Sequence, residues 1–306
     1  MSHSVSAYRT GILFALLGAF GFSFKAILVK LAYRYSIDAE TLLALRMALA
    51  LPFYLLLGLF ARRERRQPMQ TQDWLWMVWL GFIGYYLSSY LDFLGLNFIS
   101  SGLERLILFL YPTLVIVISA LFFKQPVTKR TIFALALCYV GIAFAVGHDL
   151  GNTGSQREVA IGSALVFAAA VAYALYLIGN GRVVGRIGSM RLTAWASSFA
   201  CVFSIAQFAL LRPFNTLFNQ VWQVWAITLV MVVVSTVAPV WMISEAIHRI
   251  GAGPVSVTGV LGPVMTIALG WIILSEPFGW NQLLGATLVV GGAWVVSRAG
   301  LRARTP

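Results

Sequence analysis

The sequence predicts an all-α polytopic membrane protein with ten transmembrane helices arranged as two inverted five-helix repeats. Three observations lead to this prediction. Hydrophobic residues make up 60% of the 306 positions and charged residues only 10%, whereas soluble domains carry roughly 25% charged residues. Ten apolar runs are long enough to cross the hydrocarbon core of a bilayer. The second half of the chain also repeats the first at a constant offset of 151 residues.

The apolar runs are separated by short polar breaks that leave no room for a soluble domain. The clearest breaks are Arg62–Pro68, Lys124–Pro126 and the stretch from Asp149 to Glu158. The first run contains Lys25 and Lys30 and shows no clear cleavage site, so we expect a retained helix rather than a signal peptide. The predicted spans are 11–32, 39–60, 73–94, 100–122, 131–148, 160–179, 190–210, 222–244, 251–274 and 282–298.

The distribution of basic residues predicts the orientation. With a cytoplasmic N-terminus and alternating helices, fifteen of the 22 Lys and Arg fall in cytoplasmic segments and four in outer ones. This bias places both termini in the cytoplasm and indicates a multi-pass protein of the cytoplasmic (inner) membrane. The net charge of +12 does not indicate nucleic-acid binding, because the basic residues form no continuous patch with interleaved aromatics.

The internal repeat divides the chain into residues 1–151 and 152–306. An odd number of helices per copy makes the second copy enter the membrane with the opposite polarity. Such inverted repeats predict a binding site near the midplane, between the halves, and transport by alternating access. The pairs in register are Gly11/Gly162, Ala19/Ala170, Trp74/Trp225, Ile99/Ile250, Gly102/Gly253, Leu110/Leu261, Pro112/Pro263, Pro126/Pro277 and Gly141/Gly292.

Two prolines are predicted to kink the interiors of the fourth and ninth helices. Proline removes a backbone hydrogen bond, and Gly259 and Gly262 beside Pro263 make the ninth helix the easier of the two to bend. We therefore name Pro112, Gly259, Gly262 and Pro263 as candidate hinge or gating residues. The alternative is that the kinks are static and only aid packing.

Ionisable residues inside the predicted spans are costly and point to function. The six in the first half are Lys25, Lys30, Arg46, Asp92, Glu104 and Arg105, and their counterparts 151 residues later are Tyr176, Gly181, Ser197, Ile243, Val255 and Ser256. The second copy builds the same architecture without these charges, so the fold does not require them. They predict a polar vestibule for zwitterionic or anionic substrates.

A structural explanation of these charges remains open. Lys30 and Arg105 can snorkel to the interface, and Arg46 can hold Asp92 in a structural pair. Glu245 is a possible proton-coupling residue, or an ordinary rim partner of Arg249. The substrate-cavity candidates are Phe20, Phe24, Lys25, Arg46, Tyr90, Asp92, Glu104, Tyr111, Tyr176 and Trp241.

Several classes of chemistry are not indicated. Cys138 and Cys201 lie in apolar runs and form neither a disulfide framework nor a metal cluster, so no metal, cofactor or catalytic residue is expected. The phosphate-loop pattern of nucleotide hydrolases is missing. The expected partners are a small-molecule substrate, membrane lipids and a coupling proton. A membrane-embedded enzyme, a channel and a receptor are the rival classes.

The motifs resemble those of the EamA-like family of the drug/metabolite transporter superfamily over nearly the whole chain. Phe20 stands where the family usually has Trp, and Gln125 stands where a Glu is typical, whereas Glu276 keeps it. The matching positions are Gly21, Lys30, Arg46, Gly95–Gly102, Pro112, Pro126 and Gly141, then Ala246–Gly253, Pro263, Glu276-Pro277, Gly285 and Gly291-Gly292.

The resemblance implies a ten-helix duplicated fold and a central cavity formed by helices of both halves. It also implies export of amino acids or related metabolites, without fixing the substrate. Import or exchange of another small metabolite is the alternative within the transporter class.

Overall fold

A computed structural model describes residues 2–61, 69–124, 127–153, 155–250, 255, 258–259 and 261–302. Within these residues every regular element is helical. Gln125, Pro126, Gly253 and the break Arg62–Pro68 lie outside them. The α-helices are α1 (Ser2–Tyr33), α2 (Ala39–Ala61), α3 (Thr71–Leu80), α4 (Ser88–Gly95), α5 (Ser101–Leu108), α6 (Tyr111–Phe123), α7 (Lys129–Thr153), α8 (Gln156–Ile187), α9 (Ser189–Leu211), α10 (Asn215–Phe218), α11 (Trp222–Val232), α12 (Ala238–Ile250), α13 (Gly262–Leu269) and α14 (Trp280–Arg302).

Most of the helical stretches suit a bilayer. Their outward faces carry large apolar side chains, such as Leu210 at 86% exposure and Phe122 at 75%, which water would solvate poorly. Gly262–Leu274 is apolar but shorter. Within the described residues, seven stretches are long and apolar enough to cross a membrane, fewer than the ten predicted: Tyr8–Tyr33, Ala39–Ala61, Ser101–Phe123, Lys129–Asn152, Gln156–Ile187, Ser189–Leu211 and Trp222–Ile243.

One predicted break is much shorter in the structure. The sequence between Asp149 and Glu158 is rich in Gly, Asn and Ser, which favour loops, yet α7 continues to Thr153 and α8 begins at Gln156. The side chain of Ser155 accepts a hydrogen bond from the Glu158 N–H and so caps α8. Only two residues separate the two long helices.

The helix contacts recur when the two halves of the chain are exchanged. α1 packs against α12 and α13, and α8 packs against α4 and α6. At the 151-residue offset α8 is the counterpart of α1, and α4 and α6 are the counterparts of α12 and α13, so the two sets of contacts are equivalent. The contacts of α2 with α9, and of α7 with α14, join a helix to its own counterpart. The packing therefore has the symmetry of the sequence repeat.

The α7–α14 contact shows this relationship at the level of atoms. A Cβ added to Gly141 would lie 2.7 Å from the Gly285 carbonyl oxygen, and one added to Gly292 would lie 2.6 Å from the Ala134 carbonyl oxygen. Gly292 and Gly285 are the counterparts of Gly141 and Ala134 at the 151-residue offset. Small residues let two transmembrane helices approach closely.

Three helical stretches contain π-helical turns, which insert an extra residue into the helix. These segments are Gly81–Leu87 between α3 and α4, Val233–Val237 between α11 and α12, and Gly270–Leu274 after α13. Shifted by 151 residues, Val233–Val237 falls inside Gly81–Leu87. The sequence pattern gave no indication of them.

The two prolines begin helices instead of kinking helix interiors as predicted. α5 ends at Leu108 and α6 begins at Tyr111, so Pro112 lies in the first turn of α6. Pro263 occupies the same place in α13. First-turn positions need no N–H donor, which makes them suitable for proline. The stretches predicted as the fourth and ninth spans are therefore discontinuous at equivalent points.

Candidate functional site

A buried ionic cluster lies where α1, α4 and α5 meet. The ammonium of Lys25 on α1 lies 2.6 Å from Asp92 Oδ2 on α4 and 3.6 Å from Glu104 Oε1 on α5. The side chains of Asp92 and Glu104 are 2% and 0% exposed, whereas that of Lys25 is 17% exposed. We call these three residues the charge cluster.

Local interactions fix the helices that carry the charge cluster. The Ser100 hydroxyl accepts a hydrogen bond from the Leu103 N–H and caps α5 one turn before Glu104. The Ser88 hydroxyl donates to the Ala169 carbonyl and ties α4 to α8. Gly95 and Gly162 bring the same two helices together, since a Cβ on either would collide with the other helix.

The charge cluster is incompletely hydrogen bonded. Asp92 Oδ1 and both oxygens of Glu104 have no hydrogen-bond partner in the described part of the chain. A buried polar atom without a partner carries a desolvation penalty of about 1–3 kcal/mol, and more when the group is charged. Open acceptors of this kind mark a place where a ligand or a proton can bind.

Arg46 on α2 is a second buried charge with unused hydrogen-bonding capacity. Its Nε donates weakly to Thr236 Oγ1 at 3.4 Å, across to the π-helical segment Val233–Val237. Its guanidinium lies 5.4 Å from the centre of the Phe93 ring, a cation–π contact. Its Nη1 has no partner. Among the described residues the Arg46–Asp92 pair of the structural alternative is not formed, and Lys25 contacts Asp92 Oδ2 instead.

Arg105 extends from α5 to α13 and does not snorkel to the interface as the structural alternative required. Its Nε is buried without a hydrogen-bond partner. A Cβ added to Gly262 would lie 3.2 Å from Arg105 Nη2. Ser23 donates to the Gly262 carbonyl at 3.2 Å, so α1, α5 and α13 meet at this glycine. Gly262, predicted as a hinge, provides the space for the Arg105 guanidinium.

A group of tyrosines lies where α6, α8 and the π-helical segment Gly81–Leu87 meet. Tyr85 and Tyr176 share a hydroxyl–hydroxyl hydrogen bond of 2.9 Å. Tyr173 stacks on Tyr176 with ring centres 5.6 Å apart and meets Tyr111 edge to face at 5.3 Å. A Cβ on Gly84 would lie 2.3 Å from the Tyr176 ring. The predicted residues Tyr111 and Tyr176 thus belong to one aromatic surface, joined by Tyr85 and Tyr173.

The contacts of the remaining predicted cavity residues are with groups outside the charge cluster. Phe20 is 40% exposed and packs on Phe24 at 5.5 Å. The Tyr90 hydroxyl donates to Glu40 Oε1 at 3.2 Å. Trp241 is 58% exposed and meets Phe14 edge to face at 5.4 Å. Of the other hinge candidates, Pro112 and Pro263 begin helices, and Gly259 has nothing within 4 Å of an added Cβ.

A polar junction that sequence reasoning missed joins four spans at one end of the bundle. The Lys30 ammonium donates to the Ile99 carbonyl at 2.8 Å and lies 3.2 Å from Glu276 Oε1. Glu276 accepts from the Ser101 N–H at 2.9 Å and from its hydroxyl at 2.6 Å. Asp149 accepts from the Ser100 N–H and hydroxyl, both at 2.8 Å. Lys30 is therefore paired with Glu276.

The opposite end of the bundle carries different ionic contacts. Arg186 on α8 pairs with Asp73 on α3. Arg249 Nε donates to Glu245 Oε1 at 2.8 Å, with both side chains about one-third exposed. This is the rim pair expected as the alternative to a coupling role for Glu245. Gly181, the counterpart of Lys30, has nothing within 4 Å of an added Cβ.

Long apolar helices around a buried, incompletely bonded set of charges define a multi-pass integral membrane protein of the transporter class. The profile of the EamA-like transporter family matches the chain twice, at residues 9–147 and 160–298. The chain belongs to this family and is a membrane transporter, as the sequence motifs predicted. A transporter of this kind is expected to contact membrane lipids and to bind a small-molecule substrate.

Relatives and a solved structure extend the comparison. The Bacillus subtilis (strain 168) protein described as "Uncharacterized transporter YcbK" is 29% identical over 290 residues, which cover 94% of this chain and 91% of that protein. "Uncharacterized transporter YyaM" of the same organism is 24% identical over 83% of each chain. A solved structure titled "Crystal structure of protein" has a TM-score of 0.62 at 20% identity, covering 98% of this chain and 99% of that one. That likeness concerns the fold alone.

Proposed function

We propose that this protein is a secondary transporter that exports amino acids or closely related zwitterions by alternating access. The observation that carries the proposal is the set of buried, incompletely bonded charges, two of which lie at the contact between the halves. Arg46 and Arg105 belong to residues 1–151, and their neighbours Thr236 and Gly262 belong to residues 152–306. The matches of the family profile at 9–147 and 160–298 support the division into two repeats.

The helix contacts support the inverted ten-helix arrangement. In this proposal Thr71–Gly95, Gly262–Leu274 and Trp280–Arg302 cross the bilayer together with the seven longer stretches. The positive-inside bias then places both termini in the cytoplasm of a cell whose inner membrane holds the protein. Two halves of opposite polarity that make equivalent contacts can move as rigid bodies against each other around a central site, which gives alternating access.

The unused hydrogen-bonding groups indicate the chemistry of the substrate. Arg46 Nη1 and Arg105 Nε are donors for a carboxylate, and Asp92 Oδ1 and the Glu104 oxygens are acceptors for an ammonium group. A molecule that carries both groups offers a partner to each kind of open group. The aromatic surface around Tyr173 is available to an apolar side chain, and the proposed coupling ion is a proton.

Counterflow in proteoliposomes tests the function. Proteoliposomes that contain the purified protein are loaded with each unlabelled L-amino acid in turn. Uptake of the labelled form is then measured with and without a pH gradient. We expect saturable counterflow for a subset of the panel. Rates at the level of protein-free liposomes for every amino acid and related metabolite would contradict the proposal.

Two variants connect the function to the site. Asp92→Asn and Glu104→Gln remove one charge each with little change in shape, and we expect counterflow to fall tenfold or more, on the order of one lost charge-assisted hydrogen bond. Glu245→Gln is the matched control, because Glu245 lies in a pair with Arg249 in which both side chains are about one-third exposed. Equal counterflow in all four proteins would remove the charge cluster from the substrate site.

A further inference from the structure

The charge cluster contains one cation for two carboxylates. Lys25 is 2.6 Å from Asp92, a short charge-assisted contact, but 3.6 Å from Glu104. Within the charge cluster, Lys25 and Asp92 therefore form an ion pair that has no net charge. The Lys25 ammonium lies farther from Glu104 and compensates a charge on this carboxylate only weakly.

The environment of Glu104 does not suit an ionised carboxylate. Its side chain is fully buried, and neither oxygen accepts a hydrogen bond. A carboxylate removed from water needs both a counter-ion and hydrogen bonds, and it takes up a proton where these are missing. A protonated carboxyl group carries no charge, so its burial is far less costly.

The groups around Glu104 supply no further compensation. Lys25 reaches it from α1 and Asp92 from α4, and the adjacent Arg105 on its own helix is directed to Gly262 of α13. Asp149 of α7 is bound to Ser100 at the start of α5. α8 packs against α5 and carries the tyrosines Tyr173 and Tyr176, which stack on each other, and α14 places the amide of Gln282 next to Gly102.

On this basis we propose that Glu104 is the proton-binding residue of the transporter, and that a proton and the ammonium group of the substrate compete for its carboxylate. This inference rests on the proposed function and deepens it. In the empty site Glu104 is a carboxylic acid beside the neutral Lys25–Asp92 pair. When the cavity meets the compartment from which substrate enters, the Glu104 proton passes to water, leaving a carboxylate that the ammonium neutralises. On the other side, a proton from water returns to the carboxylate and the ammonium leaves.

The second repeat has no carboxyl group at the position equivalent to Glu104. The counterpart of Glu104 is Val255, which is buried, and the counterpart of Lys25 is Tyr176, which is bonded to Tyr85. The partial exposure of Lys25 shows that the charge cluster borders accessible surface, so water can deliver and remove the proton there. The exchange is therefore one proton for one ammonium group.

Infrared spectroscopy of the purified, full-length protein without substrate tests the protonation directly. A protonated carboxyl group has a carbonyl stretch separate from that of a carboxylate. We expect the wild type to show this band at neutral pH and to lose it in alkali, Glu104→Gln to lack it, and Glu245→Gln to keep it. A wild type without a band, or a band retained in Glu104→Gln, would overturn the proposal. In Glu104→Asp, a displaced band supports the assignment independently of the Gln variant, and an unmoved band refutes it.

Competition is tested by the binding of a mixture of labelled L-amino acids across a pH series. In the wild type we expect the affinity to fall by about tenfold for each pH unit on the acid side of the Glu104 titration. Glu104→Gln should bind weakly and without this dependence, whereas Glu245→Gln should follow the wild type. Equal pH dependence in the wild type and Glu104→Gln refutes the competition. The infrared measurement does not depend on transport. If counterflow fails while the Glu104 band is present, only the proposed function is contradicted.

Discussion

The Cys138 thiol lies 3.6 Å from the carbonyl oxygen of Val289, a residue that stands 151 positions further along the chain. The two residues are counterparts in the sequence repeat, so this contact between α7 and α14 joins equivalent positions of the two copies. Both helices approach closely there, because Gly141, Gly285 and Gly292 lack side chains. The interface depends on these small residues.

Gly141→Leu should destabilise the protein by about 2 kcal/mol, in the range of overpacked cores. The new side chain would meet the Gly285 carbonyl and the Leu288 and Val289 side chains. Gly147→Leu, two turns along the same helix, has nothing within 4 Å of its Cβ and is the control. Unfolding in detergent measures the difference. Equal stability of the two variants would show that α7 and α14 are not held this closely.

Lys25→Met should be more destabilising than the double variant Lys25→Met/Asp92→Asn. Removing one partner of a buried pair leaves an uncompensated charge, at a cost of about 3–5 kcal/mol, whereas removing both charges costs much less. The free energies of unfolding of the wild type, both single variants and the double variant form a thermodynamic cycle. Additive effects would mean that the Lys25–Asp92 pair contributes no coupling energy.

The polar junction predicts an order of stabilities for Glu276. Glu276→Gln keeps an acceptor for Ser101 but loses the ion pair with Lys30, and Glu276→Ala loses both. We expect losses of about 1 and about 3 kcal/mol. Glu245→Ala, which breaks an exposed pair four residues apart on one helix, should cost no more than about 0.5 kcal/mol. A loss in Glu245→Ala as large as in Glu276→Ala would contradict this ranking.

Gly262→Leu and Gly259→Leu separate two roles of the ninth span. If Gly262 provides space for Arg105, Gly262→Leu should abolish most counterflow and Gly259→Leu should leave it near the wild-type level, since only Gly262 has a side chain beside its Cβ position. If backbone flexibility is what the span needs, the two variants should be equally impaired. Counterflow rates at equal protein content decide between them.

Asp38 should make the stability depend on pH in mildly acidic solution. Burial opposes ionisation of Asp38, but hydrogen bonds from the Thr41 N–H and hydroxyl and the charge of Arg212 outweigh it and lower the pKa. Asp38 caps α2, a contribution of about 1 kcal/mol. Because the folded pKa is lowered, the ionic part of this stabilisation is present above about pH 4 and is lost as the pH falls through the folded pKa.

The melting temperature of Asp38→Asn tests this dependence, because Asn keeps the cap without the charge. The difference from the wild type should shrink as the pH falls below about 4, the ordinary range of an aspartate. A difference that stays constant across this range would show that the Asp38 charge does not stabilise the fold.

The sequence was sufficient for the membrane class and the family, because hydropathy and the spacing of Gly and Pro depend only on local composition. It also identified Lys25, Asp92 and Glu104 as costly charges. It did not identify their partners, because which helix faces reach one another depends on the packing of spans far apart in the chain. Asp92 pairs with Lys25 and not with Arg46, and Lys30 pairs with Glu276, which lies nearly 250 positions away. The π-helical segments have no compositional signal at all.

The exchange of contacts between the halves also bears on how such a chain can originate. A surface that touches its own equivalent is the mark of an isologous interface, the kind that joins identical subunits. The α2–α9 and α7–α14 contacts are of this kind. Two separate copies of a single five-helix protein, facing opposite ways, have the geometry to make both before any fusion.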